Sequence, residues 1–523
     1  MINMKKILFA LIAILALTTS CNQEKLNTNP TDRVSGEFML ENTNGGLMAL
    51  NGTFRFFWQW GSTTTGNYHQ SFGPQSYALM GDLMGEDMVM AAQGNGWFWY
   101  DYTYNVKSRY TSGAWRSYDC WKYYYTLISN VNYIIAAQET MQGATADINY
   151  IMGNAYALRA YAYHYLAMTF ARSYIGHEDR LSVPIFTEPT VAGTEGKARA
   201  TNREVYAQAV EDINKACQLL DGQKQKHISH IDMYVANGIK ARIALEMGDY
   251  ATALASAKIA VSGSKKLTKN VNKGFNNAQA ADVLWGAEVI SAQGTTNPQF
   301  LAHMDIAFGG YGKAARKCCS AWLYDQIDAK DVRKAWWRYE TLEDGKTKGY
   351  QQYKFLFANV SDPTTGADHI FMRIPEMVLT IAECQLRTGD EAGAKATLND
   401  FMSYRQDGYN CTKSGSKLGT LTTDVTGSLL EEIILQRRIE LWGEYGRIYD
   451  IKRLRQGFAR TTAMGHPTQG LRQDLEFSNP ETFDWVLTIP SAEIDANKLM
   501  VQNPLGSKAE GNYGDDPALN PAQ

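Results

Sequence analysis

Apolar and polar positions separate most cleanly in residues 429–457, LLEEIILQRRIELWGEYGRIYDIKRLRQG. At the helical period, Ile434, Leu435, Leu441, Trp442, Tyr445, Ile448 and Tyr449 share one face, within about 140° of arc. Arg437, Glu440, Glu444 and Arg447 gather on another face, within about 80°. The pattern predicts one long amphipathic helix. Its charges are spaced to pair along it, Arg437 with Glu440 and Glu444 with Arg447. Gly443 and Gly446 interrupt the pattern, each at a cost of about 1 kcal/mol relative to Ala. They point to a close approach by another backbone or to a kink near Gly446.

Helical periodicity also marks 38–57, 119–140, 147–170 and 202–220, the last with Thr201 as N-cap and Glu204 behind it. Residues 233–261 and 377–402 read as helix pairs. Their breaks, Gly248-Asp249 and Gly389-Asp390, resemble the turns of tetratricopeptide hairpins. Two stretches lose the period, about 58–116 and 262–368. There Gly, Asn, Ser, Thr and Lys mix with aromatics, with a short helix at 321–328 and a strand at 350–357. The fold class is therefore mainly α, with helix pairs as a scaffold and two long, irregular, aromatic-rich insertions.

Composition changes this picture in one respect. A hydrophobic fraction of 45% and a charged fraction of 20% describe a globular chain, and a net charge of −3 gives no case for nucleic acid. The 30 Tyr and 12 Trp, however, are enough to furnish binding faces as well as cores. Cys120, Cys217, Cys318, Cys319, Cys384 and Cys411 are too sparse for a disulfide framework. Cys21 differs. Lys5 and Lys6 precede the apolar run 7–17, and Leu17-Thr18-Thr19-Ser20-Cys21 resembles a lipobox. Residues 1–20 read as a lipoprotein signal peptide, Cys21 as the acylated residue, and 21–36 as a tether. No other segment is long and apolar enough to span a bilayer.

No nucleotide-loop, zincin, nucleophile-elbow or EF-hand pattern occurs. His227 and His230 read as a surface pair with no third metal ligand nearby, and Asp325, Asp328 and Asp331 as a solvated helix end. Glu86 and Asp87 are adjacent, which ill suits carboxylates that must flank a glycosidic bond. Neither a cofactor nor a metal is expected. The aromatic loops carry the binding case. Flat rings cover the C–H face of a sugar, while amide and charged groups reach its hydroxyls. Trp97, Trp99, Tyr100 and Asn95 supply both, and an extended segment would aim Trp97 and Trp99 the same way. Trp58, Trp60 and His69 join them from the preceding loop, and Tyr311, Trp336 and Trp337 from the second insertion.

Arg437-Arg438-x-Glu440-Leu441, then Glu444-x-Gly446-Arg447-x-x-Asp450-x-x-Arg453, resembles the C-terminal signature of SusD/RagB-like proteins, surface nutrient-binding lipoproteins of the Bacteroidetes. Ile489-Pro490-x-x-Glu493-Ile494-x-x-Asn497 and Gln502-Asn503-Pro504 resemble that family's close. Arg159-Ala160-Tyr161 followed by Val183-Pro184-Ile185 resembles its core helix and turn, with Ala171 where a Gly is usual. The resemblance implies a single SusD-like domain over 37–523, tethered to the outer membrane and facing the cell surface. It implies oligosaccharide binding and delivery to a TonB-dependent, SusC-like transporter, without catalysis. Capture of peptide or glycopeptide by the same type of importer, or a secreted glycoside hydrolase, are the alternatives. In this setting Arg437, Glu440, Glu444 and Arg447 are expected to form a buried scaffold network rather than an active constellation.

Overall fold

The computed structural model describes residues 39–504, apart from 64–67, 106–114, 192 and 343–346. The expected signal peptide, Cys21 and the expected tether, with the tail from 505, lie outside the described residues.

Helices form where the apolar period is unbroken. Trp115–Ala136, Thr145–Phe170 and Asn202–Leu220 pack in sequence. Thr201 begins the third with a full capping box: its side chain accepts from Glu204 N, and the Glu204 carboxylate accepts from Thr201 N. Arg159 of the Arg-Ala-Tyr motif ties the second of these helices to the third, donating Nε at 2.8 Å and Nη2 at 2.7 Å to the two carboxylate oxygens of Asp212.

Both expected helix pairs are present, Met233–Met247 with Tyr250–Ala260 and Ile374–Arg387 with Glu391–Ser403. Their Gly-Asp breaks divide the work. Gly248 and Gly389 stop one helix in the left-handed region, at φ 74° and 93°. Asp249 and Asp390 then cap the next helix through Thr252 N and Gly393 N. Arg242 and Glu376, on the first helix of each pair, join the two hairpins by two hydrogen bonds of 2.7 and 2.6 Å.

The long helix expected over 429–457 is two helices, Leu429–Glu440 and Arg447–Leu454. Gly443 and Gly446 have φ of 80° and 99°, conformations that carry the chain through a sharp turn. A Cβ on Gly81 would lie 3.0 Å from Gly446 Cα, so two helix ends meet here backbone to backbone. The break also rearranges the charges. Arg437 pairs with Asp450 at 2.8 Å, not Glu440. Glu440 takes Arg373, Arg405 and Arg333 at 3.0, 2.9 and 3.2 Å. Glu444 takes Arg373 and Lys354, and Arg447 takes Glu86 and Asp87. All four side chains lie in the scaffold interior, as the family pattern implied.

The two insertions are more regular than their composition suggests. The first holds the buried helix Pro74–Met84 and the strand Met88–Met90. That strand pairs antiparallel with Lys317–Cys319 of the second insertion, which continues through Lys348–Gln352 to Trp337–Thr341. Val283–Ala287 pairs antiparallel with His369–Arg373. The sheets therefore fasten both insertions to each other and to the second hairpin. The close of the chain is fixed as well: Asn503 Nδ2 donates to Phe170 O and Leu487 O, and its Oδ1 accepts from Arg199. Among the described residues no helix is long and apolar enough to cross a membrane.

Candidate functional site

Local geometry separates the candidate aromatics into a rim and a core. Gly94 and Gly96, with φ of 52° and 84°, turn the chain so that 94–97 seats against the short helix Tyr311–Ala314. A Cβ at Gly94 would fall 2.7 Å from Ala314 O. This brings Trp97 and Tyr311 together, ring centroids 6.2 Å apart. His69 stacks on Trp97 at 4.9 Å and 21°, and its Nδ1 is hydrogen-bonded to the Tyr311 hydroxyl. Tyr68 lies 4.1 Å from His69, and Trp60 lies 5.7 Å from Tyr68. Trp60 and Tyr68 are 42% and 41% exposed, and Trp97 and His69 are half-buried. The result is an arc, Trp60–Tyr68–His69–Trp97–Tyr311, open at its Trp60 end and closed at Tyr311, which is only 7% exposed and backs Trp97 and His69.

The arc rests on a buried polar support. Arg116 donates Nη2 to Asp101 at 2.8 Å and Nη1 to Gln70 O at 3.0 Å. The Gln70 Oε1 accepts from Phe98 N, so one arginine ties both aromatic loops together. Beneath Tyr311, His303 stacks at 4.7 Å and donates Nε2 to His69 O at 2.7 Å. Burial pushes the His69 and His303 imidazoliums down and the Tyr311 phenol up, so the support is held neutral.

Six candidates do not stand on this arc, four of them in the core. Trp336 and Trp337 are each 1% exposed and belong to the core. Trp336 donates Nε1 to Val271 O, and Trp337 packs edge-on to Trp442 of the scaffold turn. Trp99 is buried and does not share a direction with Trp97. The segment is not extended: Phe98, at φ 63°, starts a short helix Trp99–Tyr102 that turns Trp99 onto Tyr102. Trp58 is 6% exposed because the Arg55 guanidinium lies over its ring at 4.1 Å. Tyr100 and Asn95 are exposed beside the arc, without a ring contact to it. Tyr68 and His303 are additions; Tyr68 was legible as the aromatic neighbour of His69 in the same loop.

Glu86 and Asp87 are held away from any substrate. Arg438 and Arg447 both contact Glu86 Oε1 at 3.0 Å, and Arg438 also contacts Asp87 at 2.7 Å. Burial alone would raise the Glu86 carboxyl, but Arg447 and Arg438 hold it down at about 2. An acid fixed in that state has no proton to give a leaving group.

Residues 286–505 match the model of the SusD family, and residues 69–245 match a second model described as starch-binding associating with outer membrane. The chain is a SusD-like protein. The SusD-like protein P2 of Formosa agariphila is 23% identical over 73% of this chain and 79% of its own length. A SusD-like carbohydrate binding protein from Bacteroides vulgatus has the same fold, with a TM-score of 0.75, 23% identity, and 88% and 97% of the two chains covered. So has surface glycan-binding protein A from Bacteroides thetaiotaomicron, solved in complex with laminarihexaose: TM-score 0.66, 17% identity, 88% and 99% covered. The mainly helical SusD-like architecture expected from the motifs is the one observed. The two family matches cover most of both aromatic insertions, including every ring of the arc except Trp60 and Tyr68.

Proposed function

We propose that this SusD-like chain captures an oligosaccharide on the Trp60–Tyr68–His69–Trp97–Tyr311 arc and passes it, unchanged, to a TonB-dependent outer-membrane transporter. The arc carries this reading. Its Trp60, Tyr68, His69 and Trp97 rings lie at different tilts, exposed or half-buried, on a support that leaves little to reorganise on binding. Asn95 and Tyr100 are exposed in the same segment as Trp97 and would supply polar groups for a sugar's hydroxyls. The starch-binding, outer-membrane description of one family model and the laminarihexaose complex of a structural neighbour support a glycan as the ligand. The ion-paired state of Glu86 and Asp87 supports binding without hydrolysis. We further propose that the chain is a signal peptide over 1–20, a tether over 21–36 acylated at Cys21, and a single domain over 37–523 that faces outward from the cell.

Calorimetry of the mature domain against panels of neutral oligosaccharides and of peptides tests the ligand class. Binding to an oligosaccharide with no new reducing ends after prolonged incubation is the expected result. Binding to peptides alone would overturn the glycan assignment, and product formation would overturn the non-catalytic one.

A further inference from the structure

A second concave site lies on the flank of the Thr43–Trp58 helix, against the loop before Met233. Its cavity of about 300 Å³ is bounded by Phe54, Arg55, Trp58, Lys226, His227 and Gln293. Arg55 lies flat on Trp58 and donates Nη2 to Gln293 O at 3.3 Å, while its Nη1 is buried without a partner among the described residues. Among the described residues no carboxylate forms an ion pair with it. The nearby Asp147 is taken by Lys226. Burial lowers the Arg55 guanidinium from its usual range, with no anion to oppose the shift. A guanidinium that is desolvated, fixed by stacking and short of a partner is a binding group awaiting an oxyanion.

The neighbouring imidazoles sharpen the ligand class. Ser229 N donates to His227 Nδ1, which places the His227 proton on Nε2, on an exposed ring. His230 stacks on Phe54 at 4.6 Å and bonds Tyr150 through Nδ1; burial holds it at about 3, so it adds no charge. On the far side of Trp58, His369 is likewise held at about 3. The site therefore presents Arg55, the Lys226–Asp147 pair and the His227 Nε2–H donor beside two aromatic rings. Trp60 of the arc follows Trp58 by two residues in the chain.

Resting on the glycan reading above, we infer that the Arg55 cleft is a second subsite for the acidic group of a charged glycan, a uronate carboxylate or a sulfate ester. Four probes test it by calorimetry on the mature domain at low salt: an oligogalacturonide and its carboxyl-reduced form, and a sulfated galactan oligosaccharide and its desulfated form. At least one acidic chain should bind roughly tenfold tighter than its neutral counterpart, an advantage that salt erodes. Which pair shows the advantage identifies the acid. Arg55→Gln should abolish the advantage and leave the neutral affinity unchanged, and Lys226→Gln should reduce it. Equal affinity within both pairs would overturn the inference, as would an advantage that survives Arg55→Gln. If none of the four chains binds while an oligosaccharide of the neutral panel does, the inference is overturned and the glycan reading stands; if the neutral panel fails as well, the glycan reading on which the inference rests fails with it.

Discussion

Glu86 Oε1 and Arg438 Nη2 sit 3.0 Å apart in the interior, although 352 residues separate them in the chain. This pair, shared with Arg447 and Asp87, clamps the loop before the Met88–Met90 strand onto the C-terminal turn. Removing one partner of a buried pair strands the other charge, at a cost of about 3–5 kcal/mol. Glu86→Gln should therefore lower the unfolding free energy by that amount, read as a lower urea midpoint at unchanged slope. A midpoint within error of the parent would show that the network is not needed for the fold.

Gly446 offers a cleaner local test. Its φ is 99°, and a Cβ would meet Tyr449 Cε2 at 2.7 Å. Gly415, at φ 80°, has open space around its Cβ position. Gly415→Ala should lose about 1 kcal/mol from backbone strain alone, and Gly446→Ala about 2–4 kcal/mol once the clash is added. Parallel denaturant melts of the two variants give the comparison, and equal losses would contradict it.

Acid sensitivity follows from buried neutral imidazoles. His164, His230, His369 and His466 are each held at about 3, chiefly by burial. Between that value and about 6.5 the unfolded chain binds more protons than the folded one. Stability therefore rises with pH across this window and is lost as pH falls, by about 1.4 kcal/mol per unit for each histidine. Glu246, raised by burial to about 7, opposes the trend for one proton. His164, whose ring nitrogens have no partner among the described residues, is the residue to change. His164→Leu should flatten the slope of stability against pH by about one proton between pH 4 and 6.

Much of this architecture was legible in the sequence because it depends on local chemistry. Thr201 with Glu204 announced a helix start, and the Gly-Asp breaks announced hairpin turns, because caps and left-handed glycines act within a few residues. The charged face of 429–457 was also visible, but not its partners. Arg437 and Glu440 stand at helical spacing, yet the turn at Gly443 and long-range competitors such as Asp450 and Arg373 redirect both. The site divides the same way. Aromatic density marked the loops that build the arc, whereas exposure is a tertiary property. Trp97 and Trp336 look alike in sequence, and only tertiary packing, edge-on to Trp337 and Phe275, buries Trp336. Extended spacing misplaced Trp99 because the left-handed Phe98 starts a helix there.

The proposed anchor has a direct readout. Cys21→Ala, expressed with its own signal sequence in a host without the transporter, should move the protein from the membrane fraction to a soluble one, since the acyl chains are the proposed anchor. Retention in the membrane fraction would require another anchor.

The central claim is that the aromatic arc is the glycan platform. Titration calorimetry with the best oligosaccharide from the neutral panel should show Trp60→Ala and Trp97→Ala each weakening binding by roughly tenfold or more, with helicity by circular dichroism unchanged. Trp99→Phe, in the core behind the arc, should bind like the parent. Unchanged affinity in both Trp60→Ala and Trp97→Ala would contradict the account.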